Sequence, residues 1–239
     1  MFDHVTIRAS DPAASDRFYT TVLAVLGLEP NRSELGTEWG DFSINTDGGP
    51  VTRNLHIAFF ADTSDLVDAF HRAGVDAGFA DDGAPGARPQ YGPDYYGGFL
   101  RDPDGNSVEA VTGTRARTTG AIDHLWLRSN DLAAVKAFYE TIGPYAGIGL
   151  GDDEPGRVQF ITTAASFSFV TGGAPTEHVH MAWPGQSDAQ VDAFHKAAVD
   201  AGYESNGAPG ERAVYHPGYY GAFVLDPDGH NVEVVNHHR

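Results

Sequence analysis

The chain restates itself halfway along, and this constrains its fold more than any other feature. Phe2-Asp3-His4 returns 120 residues later as Ile122-Asp123-His124, and Phe18-Tyr19 returns as Phe138-Tyr139. Later anchors return after 124 residues: Val67-Asp68-Ala69-Phe70-His71 becomes Val191-Asp192-Ala193-Phe194-His195. Gly83-Ala84-Pro85-Gly86, Tyr95-Tyr96-Gly97 and Asp102-Pro103-Asp104-Gly105 recur in the same register as Gly207-Ala208-Pro209-Gly210, Tyr219-Tyr220-Gly221 and Asp226-Pro227-Asp228-Gly229. A repeat of this length makes the 239 residues a tandem of two domains, expected at 1–113 and 120–239, with the polar residues 114–119 as linker.

Each copy divides again. His4-Val5-Thr6-Ile7 alternates as a half-buried strand does, and Asp11-Pro12 then offers an N-cap with Pro at the first helical position. Phe18, Val22 and Leu26 give that helix one apolar face, with Gly27 at its C-cap. Beyond residue 35 the chain reads as short strands and turns. The pattern restarts with the strand Leu55-His56-Ile57-Ala58-Phe59 and a helix that Ser64 caps, with Leu66, Val67 and Phe70 inward and Gly74 and Gly78 closing it. A Gly/Pro-rich loop over 83–93 leads to strands at about 96–101 and 106–111, joined by an Asp-Pro-Asp-Gly turn. The expected fold is therefore α+β, with four modules of strand, helix and strands.

Composition removes several function classes. With 33 Asp and Glu against 15 Lys and Arg, the formal charge of −18 leaves no basic surface for nucleic acid or for anionic membranes. The sequence has no Cys, so thiolate metal sites, disulfides and Cys nucleophiles are excluded. The opening residues show neither the basic nor the apolar stretch of a signal peptide, and the expected location is the cytoplasm.

Strand alternation then says where the chemistry-bearing side chains point. Val5 and Ile7 belong under the first helix, so His4 faces the other way. The same argument turns His56 away from Leu55 and Ile57, and Glu109 away from Val108 and Ala110. In the second copy it turns His124, His180 and Glu233 away from their apolar neighbours. Two imidazoles and a carboxylate per copy are the ligand set of an open divalent-metal site, accepting Fe, Mn, Zn, Ni or Co. His71 and His195 fall on solvated helix faces, and His237 and His238 sit at the terminus.

The strand-opening His4, the Phe18-Tyr19 helix, the second-strand His56 and the closing Asp102-Pro103-Asp104-Gly105-Asn106-Ser107-Val108-Glu109 together resemble the vicinal oxygen chelate superfamily. That superfamily contains glyoxalase I, bleomycin-resistance proteins, fosfomycin-modifying thiol transferases and extradiol dioxygenases. The resemblance covers both copies. It implies paired βαβββ modules forming open, cup-shaped mixed sheets, with metal ligands His4, His56 and Glu109 and then His124, His180 and Glu233. It implies a metal-dependent lyase, dioxygenase or transferase acting on a small molecule with adjacent oxygen donors. An antibiotic-binding protein without catalysis is the alternative, and catalytic residues are left unassigned.

Departures narrow the choice. Phe42-Ser43-Ile44 and Phe167-Ser168-Phe169 stand where glyoxalase I would place a further Glu ligand, which argues against that activity. His216 matches an extradiol-dioxygenase His, but Gly92 replaces it in the first copy, and Phe99 and Phe223 replace the accompanying Tyr. Arg88 and Arg212 are the loop cations that an anionic substrate would use. Tyr91, Tyr96, Tyr215 and Tyr220 are candidate pocket walls beside them, and Trp126, on the face of His124, is the residue expected to make the two sites differ. Each ligand set combines a His from a first module with a His and Glu from a second, and the pairing can run within a copy or across copies. A monomer imitating a homodimer is expected, with a small-molecule partner.

Overall fold

The computed structural model describes residues 1–113 and 119–238; most of the expected linker, 114–118, lies outside the described residues. The first copy runs β1 (His4–Arg8), α1 (Pro12–Leu23), β2 (Asn31–Ser33), β3 (Gly36–Trp39), β4 (Phe42–Asn45), β5 (His56–Phe60), α2 (Ser64–Asp76), β6 (Ala80–Ala87), β7 (Tyr96–Arg101) and β8 (Ser107–Thr112). The second runs β9 (Ile122–Arg128), α3 (Leu132–Ala146), β10 (Gly149–Glu154), β11 (Arg157–Ile161), β12 (Ser166–Val170), β13 (His180–Pro184), α4 (Asp188–Asp200), β14 (Ser205–Glu211), β15 (Tyr220–Leu225) and β16 (Asn231–Asn236). These are four βαβββ modules. Their strands form two eight-stranded sheets among the described residues, ordered β14-β15-β16-β13-β1-β4-β3-β2 and β10-β11-β12-β9-β5-β8-β7-β6. Both are mixed: β5 with β8 and β13 with β16 run parallel, and β7 with β8 and β15 with β16 antiparallel.

The chain divides into two compact bodies that do not coincide with the sequence copies. One is Thr6–Trp126; the other combines Met1–Val5 with Leu127–Arg239. In the first, α1 starts as the sequence predicts, with Asp11 Oδ1 accepting from the amides of Ala13 and Ala14 at 3.1 Å. It ends through a 3-10 turn at Ala24–Leu26 and the left-handed Gly27, φ 76°. Val5, Ile7, Phe18, Tyr19 and Val22 are fully buried, as the alternation and helical spacing require, and each such large side chain contributes roughly 1.5–3 kcal/mol by leaving water.

The second helix corrects two details. Thr63, rather than Ser64, is the N-cap of α2, its hydroxyl accepting from Leu66 N. Gly74 does not stop the helix but lies inside it, where a Cβ would sit 2.3 Å from Leu100 Cδ1; Gly78, φ 85°, makes the turn. Nor is the Gly/Pro-rich stretch all loop. Ala80–Ala87 is a strand whose register against β7 slips twice, between Asp81 and Gly83 and between Gly83 and Gly86. Gly and Pro hide a bulged edge strand from propensity reasoning. His71 and His195, assigned to solvated faces, are half-buried and reach the following strand, at Asp81 Oδ1 (2.9 Å) and Ser205 Oγ (2.7 Å).

The Asp-Pro-Asp-Gly turns are structural. Buried Asp102 accepts from the Tyr19 hydroxyl at 3.0 Å and from the amides of Asp104 and Asn106, fastening the β7–β8 turn to α1. Asp226 repeats this in the other body with Tyr139, Asp228 and His230. No helix among the described residues is long and apolar enough to cross a membrane.

Candidate metal centres

Sheet register brings the six predicted donors into two groups, and both groups combine the copies. β5 lies between β8 and β9, with Ala58 opposite Glu109 on one side and His124 on the other. His56, two residues before Ala58, shares their face because side chains alternate with a period of two. In the other body β13 lies between β16 and β1, with Ala182 opposite Glu233 and accepting from the amide of Asp3 at 2.8 Å, which sets His4 beside His180. The groups among the described residues are thus His56, Glu109 and His124, and His4, His180 and Glu233. Each donor set lies inside one compact body, because Met1–Val5 packs with the second copy. Of the two pairings that the sequence leaves open, the structure adopts the crossed one.

The donor atoms are close. In the first group His56 Nε2 lies 3.3 Å from His124 Nε2 and 3.1 Å from Glu109 Oε2, and the remaining side is 3.5 Å. In the second, His4 Nε2 lies 3.0 Å from His180 Nε2, with Glu233 Oε2 at 3.6 and 3.1 Å. Ligands about 2.1 Å from a common ion are about 3.0 Å apart at right angles and about 3.4 Å apart at tetrahedral angles. The donor set suits a divalent ion chemically as well. His4 and His124 place Nδ1 2.8 Å from Asp3 and Asp123, and since a carboxylate only accepts, the neutral form of each imidazole has its proton on Nδ1 and its lone pair on Nε2. In each group that lone pair faces a carboxylate oxygen beside a second imidazole, a donor set that could hold a metal ion. Glu233 Oε2 is buried without a hydrogen-bond partner, as an oxygen reserved for such an ion would be.

Each carboxylate is held from behind by a tyrosine that sequence reasoning left out of its site set. Tyr95 donates to Glu109 Oε1 at 2.8 Å and Tyr219 to Glu233 Oε1 at 2.7 Å. Burial first, and then the neighbouring Glu, push both phenols up, so they stay protonated and donate. Gly97 and Gly221 make room: a Cβ there would lie 2.2 and 2.6 Å from the same Oε1 atoms. Tyr96 and Tyr220, expected as pocket walls, point the other way, to Asp68 and Asp192 on α2 and α4. Alternation is the reason. Phe99 opposes Glu109 and faces the donors, so Gly97 does too, and Tyr96 cannot. Alternation counted back from Glu109 could have found this.

The remaining candidates surround the groups unequally. Trp126 lies 6.5 Å from the His56 ring and 6.0 Å from Tyr91, forming an aromatic side to that group. Arg88 and Arg212 stack over Phe99 and Phe223 at 5.5 Å and donate to the carbonyls of Ala84 and Ala208. Those phenylalanines lie 6.1 and 6.2 Å from His56 and His180. Tyr215 packs on Tyr219 at 4.7 Å. His216 stacks on His237 with Nε2 to Nδ1 at 2.9 Å, and His237 Nε2 reaches Asp3 at 2.9 Å. The terminal His237 thereby joins the surroundings of His4, which no sequence signal indicated. Burial lowers the basicity of His56 more than the Glu109 contact restores it, so its imidazole is neutral near pH 7. Burial works to raise Asp3, but hydrogen bonds and charge from His4 and His237 outweigh it and hold its carboxyl below the usual range.

Comparisons with known proteins agree with this architecture. Glyoxalase I from Zea mays superposes with a TM-score of 0.68 at 20% identity, covering 99% of this chain and 92% of that one, a likeness of fold. A glyoxalase/bleomycin resistance protein from Albidiferax ferrireducens T118 is 30% identical over 48% of this chain and 96% of its own, with a TM-score of 0.42. No curated protein matches the chain. Residues 1–110 match the family model of the Glyoxalase/Bleomycin resistance protein/Dioxygenase superfamily. The match to that superfamily thus lies in the first copy, and the second copy repeats its βαβββ modules.

Proposed function

We propose that the chain is a metal-dependent enzyme with two centres that takes a small molecule carrying adjacent oxygen donors, as a lyase, dioxygenase or transferase. The observation that carries this reading is the convergence of two imidazoles and one carboxylate at the separations of neighbouring metal ligands, twice over. Three protein donors leave coordination positions for a substrate, whereas a closed structural site uses four. His4, His180 and Glu233 would hold one divalent ion and His56, His124 and Glu109 the other, its identity open among Fe, Mn, Zn, Ni and Co. A bound ion of this kind supplies Lewis-acid stabilisation of a developing oxyanion.

The chain's own residues prepare the site. Tyr95 and Tyr219 bind Oε1 of the two carboxylates and thereby direct Oε2 to the imidazoles. Phe99, Trp126 and Tyr91 in one body, and Phe223 and Tyr215 in the other, offer aromatic walls that suit a planar guest. With Arg88 and Arg212 bonded to backbone carbonyls and stacked on Phe rings, an anionic substrate is disfavoured. Both donor sets are encoded in one chain, so the working form is taken to be a monomer.

Metal analysis of protein purified without chelators tests the reading. Two equivalents are expected, and His4→Ala and His56→Ala should each remove one; no metal in the wild type would overturn it. The second reading, an antibiotic-binding protein, draws support from the net charge of −18, which favours a cationic guest. Binding of such a guest with equal affinity before and after metal removal, without turnover, would select it.

A further inference from the structure

We propose that Asp82, acting through Ser107, locks His56 in the tautomer that binds metal, and that the His56 group therefore holds a divalent ion more tightly than the His4 group. The proposal rests on the reading of both groups as metal centres. Ser107 Oγ donates to Asp82 Oδ2 at 2.7 Å, and Arg101 Nη2 holds the other carboxylate oxygen at 2.6 Å. A carboxylate accepts and does not donate, so the single hydroxyl hydrogen of Ser107 is committed to it. The 3.1 Å contact between Ser107 Oγ and His56 Nδ1 is then an Nδ1–H donating to oxygen. That leaves the Nε2 lone pair aimed at Glu109 Oε2 and His124 Nε2.

The second copy replaces all three supports: Asp82 by Asn206, Ser107 by Asn231 and Arg101 by Leu225. Asn206 Nδ2 donates to Asn231 Oδ1 at 3.0 Å, which sets Asn231 Nδ2 against His180 Nδ1 at 2.6 Å. In that arrangement the His180 proton is on Nε2, directed to His4 Nε2 at 3.0 Å, where an ion would have to displace it. Turning both amides over reverses the polarity. A pair of amides thus accommodates either tautomer, and a serine tied to a carboxylate accommodates one. Hydrogen-bond partners behind metal-bound imidazoles typically change affinity about 10–100-fold.

Two measurements on the full chain test this. Long-range proton–nitrogen spectra of the metal-free protein should show His56 as the Nδ1–H tautomer, and Asp82→Asn should release it to a mixture. Competitive Zn2+ titration against a chromophoric chelator should resolve two classes of site about 10–100-fold apart. His56→Ala should remove the tight class and His4→Ala the weak one. Asp82→Asn and Ser107→Ala should each weaken the tight class, and Asn206→Asp with Asn231→Ser should strengthen the weak class. Equal affinities, loss of the tight class in His4→Ala, or His56 found as the Nε2–H tautomer would each overturn the proposal. If the wild type binds no Zn2+ at all, the metal reading fails, and the tautomer spectrum still decides the lock.

Discussion

The His56 group and the His4 group are built from equivalent residues on equivalent strands, and their surroundings differ. What the two share is what fixes the carboxylate: Tyr95 and Gly97 behind Glu109 correspond to Tyr219 and Gly221 behind Glu233. What differs lies one contact further out. Gly92 and Gly113 of the first copy stand where the second has His216 and His237, Thr6 stands where it has Trp126, and Asp82 and Ser107 stand where it has Asn206 and Asn231. One group has an aromatic side and an anchored imidazole; the other has a chain of imidazoles leading to Asp3. Duplication supplies a donor set twice, and divergence around it gives the two groups different surroundings.

The largest effect that would break the symmetry comes from the smallest side chain. Gly97→Ala should push the Glu109 carboxylate off its position and lower Zn2+ affinity of that group by about 100-fold or more, with little change in thermal stability, because what yields is the end of a flexible side chain. Gly221→Ala should do the same to the other group alone, and a variant that weakens both groups would show that they are not independent.

Next in size is a pH effect confined to one body. His230 occupies the place of Asn106, and each accepts from a backbone amide at the start of the donor strand, Val179 N at 3.2 Å and Leu55 N at 3.0 Å. Burial depresses His230 from the ordinary 6.5 to about 4. A depressed imidazole contributes stability that is fully present above pH 6.5 and is lost as pH falls towards 4. Denaturation at pH 7 and 4.5 should therefore show the wild type losing roughly 2–3 kcal/mol more than His230→Asn. Buried Asp226, pushed up to about 7 mainly by burial, drifts the opposite way, losing stability as pH rises through that value. Both chains contain it, so the difference between them isolates His230.

Smaller effects separate the two neighbouring tyrosines. Tyr95→Phe removes the hydrogen bond to Glu109 Oε1 and should weaken metal binding at the His56 group about tenfold, read by the same titration. Tyr96→Phe loses an exposed contact to Asp68, should change stability by less than about 1 kcal/mol, and should leave both metal classes as they were.

Much of this architecture was legible in the residues. The two-fold repeat, the strand and helix spacing of each module and the side of the strand on which His4, His56, Glu109, His124, His180 and Glu233 lie all follow from local periodicities, because alternation is a property of a strand by itself. The bulged strand at Ala80–Ala87 was not legible, since Gly and Pro carry no strand signal and its register is imposed by β7. Nor were the roles of Tyr95 and His237. Both act through contacts with residues that the chain brings back from elsewhere, Tyr95 across the β7–β8 hairpin to Glu109 and His237 across nearly the whole sequence to Asp3.

The sequence by itself determined the modules, their number and the donors each contributes. Tertiary structure alone decided which donors meet. A strand's face is set by its own alternation, but its neighbours are set by long-range pairing: β1 beside β13 and β9 beside β5 give each group its second imidazole from the other copy. A residue can fix the direction of its side chain locally; the identity of what it meets there is a property of the assembled sheet.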